Sequence, residues 1–311
     1  MRKHLRYPDF LCIGAQKAGT SWLHRNLRPH PQLWLPPVKE LHYFDRYFDR
    51  PFDRPWKLHP SIPDVWSRRW PKRAGRLLRR LKRSHLAADV NSRWLFRYLF
   101  FPRNDRWYGS LFPDDPDLVV GEVTPNYAIL DANAVAHIAT LMPRAKIIYI
   151  LRNPIDRSWS AAAMKLERRG THIDRASDDE IWSALSRPII VKRADYLKHI
   201  DLWRRHFGED NLFIGFFDEL SADPAAFLRR VFDFLGVESS DEQVPPGVRG
   251  PVGARSYMAI PERHLQRLAD LHLDQIRSIY YRLPNEHTRR WFEVAVKHAF
   301  PKPFIPDTSE R

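Results

Sequence analysis

A glycine-framed loop near the start of the chain combines residue types that bind an oxyanion. Residues 14–21 read Gly-Ala-Gln-Lys-Ala-Gly-Thr-Ser, and they lie between the apolar run 10–13 and apolar residues at helical spacing. This pattern predicts a strand, a loop and a helix. The amides at a helix N-terminus attract an anion, and Lys17 adds a positive charge beside them. We therefore predict a cradle for a phosphate or sulfate group.

The place of the lysine distinguishes this loop from the nucleotide-binding P-loop. In the P-loop the lysine directly follows the second glycine, and the next hydroxyl group binds Mg²⁺. Here Thr20 and Ser21 follow Gly19, and the lysine lies inside the loop at position 17. A P-loop-like nucleotide kinase stays open as an alternative, as does a simple tight turn between a strand and a helix.

A second stretch carries a possible acid–base pair. Residues 38–45 read VKELHYFD and follow two prolines, which favour an extended chain. Alternate residues of an extended segment share a face, so Glu40 and His42 are predicted to lie side by side. A carboxylate beside an imidazole can accept and donate a proton. The alternative is a surface strand with scattered charges.

The clearest predicted strand is Lys146–Leu151, and two candidate phosphate ligands follow it. Its uninterrupted apolar run indicates burial on both faces, as in a parallel sheet covered by helices. Arg152 and Ser160 offer a guanidinium and a hydroxyl that can bind a phosphate. Ligands of such sheets bind beyond the carboxyl ends of the strands, where Arg152 and the Lys17 loop are both expected. The alternative role for Arg152 is an ion pair with Asp156.

The elements that position these residues alternate between strands and helices. The alternation predicts an α/β fold in which a central parallel sheet is flanked by helices in a single three-layer domain, 1–311. Residues 46–109 interrupt it with prolines, aromatic residues and basic residues, and we interpret them as one insertion. The predicted strands are 118–122, 146–151 and 211–217, and the predicted helices are 132–142, 194–207, 223–235 and most of 261–300.

The formal net charge of +14 in 311 residues favours anionic partners. Charge alone does not choose among a nucleotide, an acidic polymer, nucleic acid and an anionic membrane. The stretch 68–83 has no acidic residue and carries apolar residues on one helical stripe. Such a helix can make peripheral contact with an anionic surface or pack on the core. We expect packing with some anion attraction and no specific nucleic-acid partner, and a noncatalytic basic protein that binds nucleic acid or membranes is the rival interpretation.

The N-terminal region and the single cysteine bear on the cellular compartment. Cys12 is the only cysteine in the sequence, so neither an intrachain disulfide nor a site of several thiolates can form. The apolar run that contains it is broken by Gly14 and Lys17 and is too short for a signal peptide or a membrane span. We expect a cytoplasmic enzyme of bacterial type.

Several stretches, in their order along the chain, resemble one protein family. The set is similar to the sulfotransferases that use 3'-phosphoadenosine 5'-phosphosulfate (PAPS), in particular the heparan sulfate sulfotransferase type and its bacterial relatives. The resemblance implies a P-loop-like sulfotransferase fold, PAPS as co-substrate, 3'-phosphoadenosine 5'-phosphate (PAP) as product, and an unidentified acceptor. The stretches are FLCIGAQKAGTSWL, VKELHYFD, GEVTPNY, KIIYILRNPIDRSWS, YLKHIDLWRRHF and NLFIGFFDELSADP.

The same resemblance implies a role for each matching residue. Glu40 is implied as the catalytic base, with His42 and Asp45 in supporting positions, and His42 stays open as the base instead. Lys17 is implied to stabilise the leaving oxygen. The implied donor ligands are Lys17, Ala18, Gly19, Thr20 and Ser21 for the 5'-phosphosulfate, Arg152 and Ser160 for the 3'-phosphate, and Arg255 in a loop that closes over the cofactor.

Two positions depart from the heparan 3-O-sulfating enzymes. Ser21 stands where those enzymes have an arginine, and Val123 stands where they often have a lysine. Both positions are associated with a sulfated acceptor, so we do not expect a heparan-like one. We predict transfer to a hydroxyl, in preference to an amine, of a carbohydrate, lipid or small molecule. A transferred sulfuryl group carries less negative charge than a phosphoryl group, so no metal is expected.

Overall fold

The computed structural model describes residues 5–47, 91–101, 103–248 and 259–299. The chain divides into two compact units. The first unit contains Met1–Leu151 and His199–Ala254, and the second contains Arg152–Lys198 and Arg255–Arg311. Two of our predictions lie outside the described residues, namely the basic stretch 68–83 and Arg255.

The first unit is built on a five-stranded sheet in which all neighbouring strands are parallel. The strand order is β2-β3-β1-β4-β5, so the first strand of the chain lies at the centre. The chain leaves β1 for β2 on one side of the sheet and leaves β4 for β5 on the other, so the carboxyl ends of the neighbouring strands β1 and β4 form a topological switch point, the usual ligand position in α/β sheets. The strands are β1 Phe10–Gly14, β2 Leu33–Trp34, β3 Val119–Val123, β4 Lys146–Leu151 and β5 Leu212–Phe216.

The central strands are buried because their sequences are apolar on both faces. Phe10, Leu11, Cys12 and Ile13 are all 0% exposed. Gly121 on β3 lies beside Phe10, and a Cβ atom there would come 2.2 Å from the Phe10 ring. The glycine therefore lets the ring pack directly against the backbone of β3.

Helices connect the strands of the first unit and make up the described part of the second. The helix Tyr196–Phe207 begins in the second unit and ends in the first. In chain order the helices are α1 Thr20–Leu27, α2 Phe44–Tyr47, α3 Ser92–Phe100, α4 Asp105–Ser110, α5 Ala132–Leu141, α6 Pro154–Glu167, α7 Asp178–Leu185, α8 Pro188–Lys192, α9 Tyr196–Phe207, α10 Phe217–Ala222, α11 Pro224–Leu235, α12 Glu262–Arg282 and α13 Glu286–His298.

The predicted α/β architecture, a parallel sheet flanked by helices, is confirmed. The predicted strand at Lys146–Leu151 has the same bounds in the structure, and the other predicted elements shift by one to three residues at their ends. The short strand β2 was not predicted, because two residues carry no periodicity. The assignment of 1–311 to a single domain stays a prediction.

The end of the predicted insertion belongs to the core of the first unit. Trp107 and Tyr108 on α4 are 1% and 0% exposed. The ring of Tyr108 stacks on that of Tyr43, with the ring centroids 4.9 Å apart. Helix α4 therefore supports the segment that carries Glu40 and His42. Residues 48–90 lie outside the described residues.

The second unit has a buried polar cluster between its helices. Arg157 on α6 is 0% exposed, and its Nη2 donates to the carbonyl oxygen of Ile190 at 2.6 Å. The hydroxyl of Ser158 lies 2.9 Å from Nε2 of His272 on α12. Burial, with the nearby charge of Arg157, lowers the pKa of His272 to about 4, so this histidine is neutral at pH 7.

Among the described residues, no helix is long and apolar enough to cross a membrane.

Candidate active site

The loop after β1 has the backbone geometry of an anion cradle. Gly19 has a φ of 84° and precedes α1, whose N-terminus receives no hydrogen bond from a side-chain cap. The first amides of a helix lack an intrahelical acceptor, so these donors are available to a ligand. Lys17 is half-buried in the same loop. These residues fit a phosphate or phosphosulfate group by both geometry and charge.

Left-handed backbone is concentrated at the predicted catalytic residues. Among the described non-glycine residues, Lys17, Glu40 and His42 are the ones with positive φ, at 76°, 64° and 57°. A left-handed conformation costs a non-glycine residue about 1–2 kcal/mol, and such strain tends to occur at functional sites. All three residues were predicted to take part in catalysis from the sequence.

Glu40 and His42 are adjacent, but not through the extended conformation that we predicted. Nε2 of His42 lies 3.3 Å from Oε2 of Glu40. The segment forms no strand, and the two left-handed residues alternate with Leu41 and Tyr43, which are 1% and 4% exposed. The backbone of Glu40 is fixed to the sheet, because its amide donates to the carbonyl oxygen of Val123 at 3.2 Å.

Asp45 completes a chain of charged groups. Nδ1 of His42 lies 2.7 Å from Oδ2 of Asp45, which also accepts a hydrogen bond of 2.7 Å from Nδ2 of Asn126. The Asp45 side chain is 8% exposed, so its charge is little screened by water. Asp45 therefore holds the imidazole in place and stabilises its protonated form. Asn126, in the stretch GEVTPNY, was not assigned a role from the sequence.

Lys39 is a site residue that the sequence patterns did not identify. Its Nζ lies 2.9 Å from Oε1 of Glu40, 3.1 Å from Oγ of Ser21 and 3.5 Å from Oγ1 of Thr20. One ammonium group thus links the anion cradle to the predicted base. A lysine next to a glutamate in sequence is common, and it gives no indication that the side chain reaches back to the first helix.

The charges of this cluster shift the pKa values of Glu40 and His42 in opposite directions. Burial opposes ionisation of Glu40, but its contacts with His42 and Lys39 outweigh burial and lower the pKa of Glu40 to about 2. Burial likewise opposes protonation of His42, but hydrogen bonds to Asp45 and Glu40 raise the pKa of His42 to about 9. At neutral pH Glu40 is therefore an unprotonated carboxylate and His42 a protonated imidazolium.

The buried carboxyl group of Glu122 supports the segment that carries Glu40 and His42. Glu122 on β3 is 1% exposed and accepts a hydrogen bond of 2.9 Å from the hydroxyl of Tyr108. Burial raises the pKa of Glu122 to about 7, although hydrogen bonds from Tyr127 and Tyr108 act against burial. The Tyr127 hydroxyl also accepts a hydrogen bond of 3.0 Å from the amide of Tyr43. Glu122 thereby helps to fix the segment that carries Glu40 and His42.

The other predicted donor ligands belong to the second unit. Arg152 directly follows β4, and its carbonyl oxygen accepts a hydrogen bond of 2.8 Å from the hydroxyl of Tyr196. Ser160 lies within α6 and is 6% exposed. The side chain of Asn153 caps this helix by accepting from the amide of Ile155 at 3.0 Å. Within the described ranges, no group of three or more His, Cys, Asp or Glu residues could hold a metal ion.

Comparisons with known proteins identify a family that this chain matches. The profile described as the sulfotransferase family matches residues 8–241. Human heparan sulfate glucosamine 3-O-sulfotransferase 6 is 26% identical over 243 residues, covering 75% of this chain and 53% of that protein. Human heparan sulfate glucosamine 3-O-sulfotransferase 3B1 is 32% identical over 143 residues, covering 42% of this chain and 35% of that protein. The chain thus spans about half the length, or less, of these relatives.

A solved structure supports the fold independently. The crystal structure of a sulfotransferase from Alicyclobacillus acidocaldarius superposes with a TM-score of 0.61 and covers 92% of this chain and 98% of its own, at 22% identity. Together with the family profile and the curated relatives, this structure confirms the resemblance that the motifs indicated. Since the family profile covers most of the chain, from the strand before the cradle to the end of the first unit's helices, this chain belongs to the sulfotransferase family.

Proposed function

We propose that this protein transfers a sulfuryl group from PAPS to a hydroxyl group, in preference to an amine, of a carbohydrate, lipid or small molecule. The observation that carries the proposal is the position of Lys39, whose Nζ contacts Ser21 at the cradle and Glu40 at the base. Because one side chain bridges them, the anion cradle and the proton acceptor lie within a few ångströms of each other. In-line transfer requires this proximity.

The residues of the cradle bind the donor and stabilise the leaving group. Lys17 and the backbone of Ala18, Gly19, Thr20 and Ser21 hold the 5'-phosphosulfate, with the positive charge of Lys17 close to the leaving oxygen. PAPS supplies an activated sulfuryl group on a good leaving group.

Glu40 accepts the proton from the acceptor hydroxyl. As the acceptor oxygen bonds to sulfur, the bond between sulfur and the phosphate oxygen breaks, and PAP retains that electron pair. We assign the base to Glu40 rather than to His42, because hydrogen bonds to Asp45 and Glu40 outweigh burial, raise the pKa of His42 to about 9 and favour its protonated form. We assign His42 the role of orienting Glu40.

The remaining assignments extend the proposal to the rest of the donor and to its partners. Arg152 and Ser160 bind the 3'-phosphate, and Arg255 belongs to a loop that closes over the cofactor. We propose catalysis without a metal ion, a cytoplasmic location, no specific nucleic-acid partner, and peripheral contact of 68–83 with an anionic surface. The sequence resemblance supports the roles of Arg152, Ser160 and Arg255, and the composition and charge pattern of the sequence support the other assignments.

Calorimetry with PAP and ATP, each with and without Mg²⁺, tests the donor. We expect PAP to bind without the metal, because the cradle supplies its own positive charges. ATP binding that requires Mg²⁺, together with no affinity for PAP, would instead favour a P-loop-like nucleotide kinase. A screen of acceptors with labelled PAPS then identifies the acceptor, and transfer to none of a broad set of hydroxyl and amine acceptors would contradict the proposed reaction.

A further inference from the structure

Lys39 connects two groups whose partners must change during the reaction. In the structure its ammonium group is paired with the Glu40 carboxylate at 2.9 Å. The hydroxyl oxygens of Thr20 and Ser21, at 3.5 Å and 3.1 Å, are its other acceptors. Both hydroxyls belong to the first turn of α1, the end of the helix that faces the cradle.

An anion in the cradle competes with Glu40 for this lysine. Hydrogen bonds from an ammonium to a phosphate oxygen are charge-assisted and are stronger than those to a neutral hydroxyl. The Lys39 side chain is 20% exposed and flexible, and it already reaches the first turn of α1. A phosphosulfate at that turn therefore brings negative charge within reach of Nζ without a change of backbone.

Glu40 is a weak base while Lys39 holds it. Its contacts with His42 and Lys39 keep the pKa of Glu40 at about 2, although burial favours the protonated form. A general base is most effective when its pKa lies near the working pH. Loss of Lys39 from the carboxylate removes one of the two cations that stabilise its charge, so Glu40 then binds a proton more tightly.

We propose that Lys39 is a second cationic contact of the donor's phosphosulfate, and that it exchanges Glu40 for this anion when the donor binds. The exchange makes Glu40 an effective proton acceptor only when the donor is in place. It also places the charge of Lys39 where the leaving phosphate develops negative charge. This inference rests on the proposed function, from which it takes PAPS as the donor.

Three other titratable groups of the described residues lie close to Glu40 or its partners. His42 stays protonated at pH 5, because its pKa is about 9. His24 on α1 interacts electrostatically with Lys39 and Glu40, but burial, followed by the charges of Lys39 and Arg28, lowers its pKa to about 3. His24 therefore stays neutral at pH 5. Asp45 contacts His42 rather than Glu40.

Proton uptake on PAP binding provides the first test. We expect wild-type protein at pH 5 to take up more protons on binding PAP than Glu40→Gln does, measured by calorimetry in two buffers with different ionisation heats. The phosphates of PAP titrate in this range, but they contribute equally to both proteins. Proton uptake by Lys39→Met should equal that of Glu40→Gln, because the Glu40 carboxylate of this variant has lost its contact with Lys39 before PAP binds.

Affinity provides the second test. We expect Lys39→Met to weaken PAP binding about 10- to 100-fold, the loss of one charge-assisted hydrogen bond. Lys39→Arg should retain most of the affinity. Lys297→Met is the matched control, because it removes the same charge from an exposed position on α13 and should leave PAP affinity unchanged.

The outcomes separate the two proposals. Equal proton uptake by wild type and Glu40→Gln would overturn the exchange, as would unchanged PAP affinity in a folded Lys39→Met, and either result leaves the proposed function standing. The first comparison does not depend on whether the Lys39 variants fold. Absence of PAP binding by the wild-type protein would overturn the proposed function itself.

Discussion

Glu40 and His42 contact each other at 3.3 Å while both hold a left-handed backbone. Leu41 and Tyr43, which alternate with them, are buried and anchor the segment to the core. Burial of a large apolar side chain contributes about 1.5–3 kcal/mol, which is enough to offset a left-handed residue. Packing of the alternating residues in the core therefore holds Glu40 and His42 in contact.

Glu40→Gln should lower the rate of sulfuryl transfer about 100-fold or more, because loss of a general base costs about 10²–10⁴ in rate. The change keeps the size of the side chain, so PAP should bind as tightly as before, or more tightly once Lys39 is released. Transfer assays with labelled PAPS and calorimetry with PAP measure the two effects.

The matched control for this substitution is Glu293→Gln, at an exposed position on α13 whose side chain is 64% exposed. It should change neither quantity. Transfer at the wild-type rate by Glu40→Gln would show that another group is the base, and His42→Ala would then be the next variant to examine.

Asp45→Asn should lower the pKa of His42 from about 9 toward its ordinary value, because Asp45 is the largest contributor that favours the protonated imidazole. NMR titration of the His42 ring measures this directly. Because the folded-state pKa is raised, the stability that His42 contributes is fully present below about pH 6.5 and is lost as the pH rises through about 9. Asp45→Asn should therefore flatten the loss of thermal stability between these pH values.

Asp174→Asn is a suitable control for that titration. It removes a comparable His–Asp contact, since Oδ2 of Asp174 lies 3.2 Å from Nδ1 of His172 in the second unit. The pKa of His42 should not respond to it. An unchanged His42 titration in Asp45→Asn would contradict the role that we assign to Asp45.

Glu122→Gln should alter the pH dependence of stability between about pH 4.5 and pH 7. Burial raises the pKa of Glu122 to about 7, so the wild-type protein is favoured below the unfolded value of 4.5 and loses this contribution as the pH rises through 7. The amide does not ionise, so the variant should lack this loss. Denaturant unfolding at pH 4.5, 6 and 8 measures the difference, and parallel profiles for the two proteins would contradict it.

Gly19→Ala should destabilise the protein and weaken PAP binding. The residue has a φ of 84°, and a Cβ atom there would come 3.0 Å from Cδ2 of Leu220 and 3.3 Å from the ring of Phe217. The left-handed conformation alone costs about 1–2 kcal/mol. Denaturant unfolding and calorimetry with PAP measure the two effects.

Gly208→Ala separates the free-energy cost of the left-handed backbone from the cost of close side-chain contacts. Gly208 has a φ of 80°, but a Cβ atom there would meet nothing within 4 Å. Its destabilisation should be smaller than that of Gly19→Ala by the cost of the contacts, and PAP affinity should not change. Equal effects of the two substitutions on both measurements would show that close packing at Gly19 plays no part in shaping the cradle.

Much of the fold could be read from local patterns. The apolar run of β4 and the Asp-Pro start of α11 are strong local signals, and the elements that they predicted are present. The insertion was harder to interpret, because a region rich in aromatic and basic residues has no period. The burial of Trp107 and Tyr108 depends on partners such as Tyr43, which is more than 60 residues away in the sequence.

The sequence by itself determined the types and spacing of the chemical groups, because a glycine loop with an internal lysine and a Glu-x-His pair are local patterns. Those patterns were sufficient to identify the family and to name Lys17, Glu40 and His42. Only the tertiary structure decided that Lys39 joins the cradle to Glu40 and that Asp45 stabilises the protonated form of His42. Ion pairs of this kind depend on distances between segments that the fold brings together, and on burial that strengthens their charges.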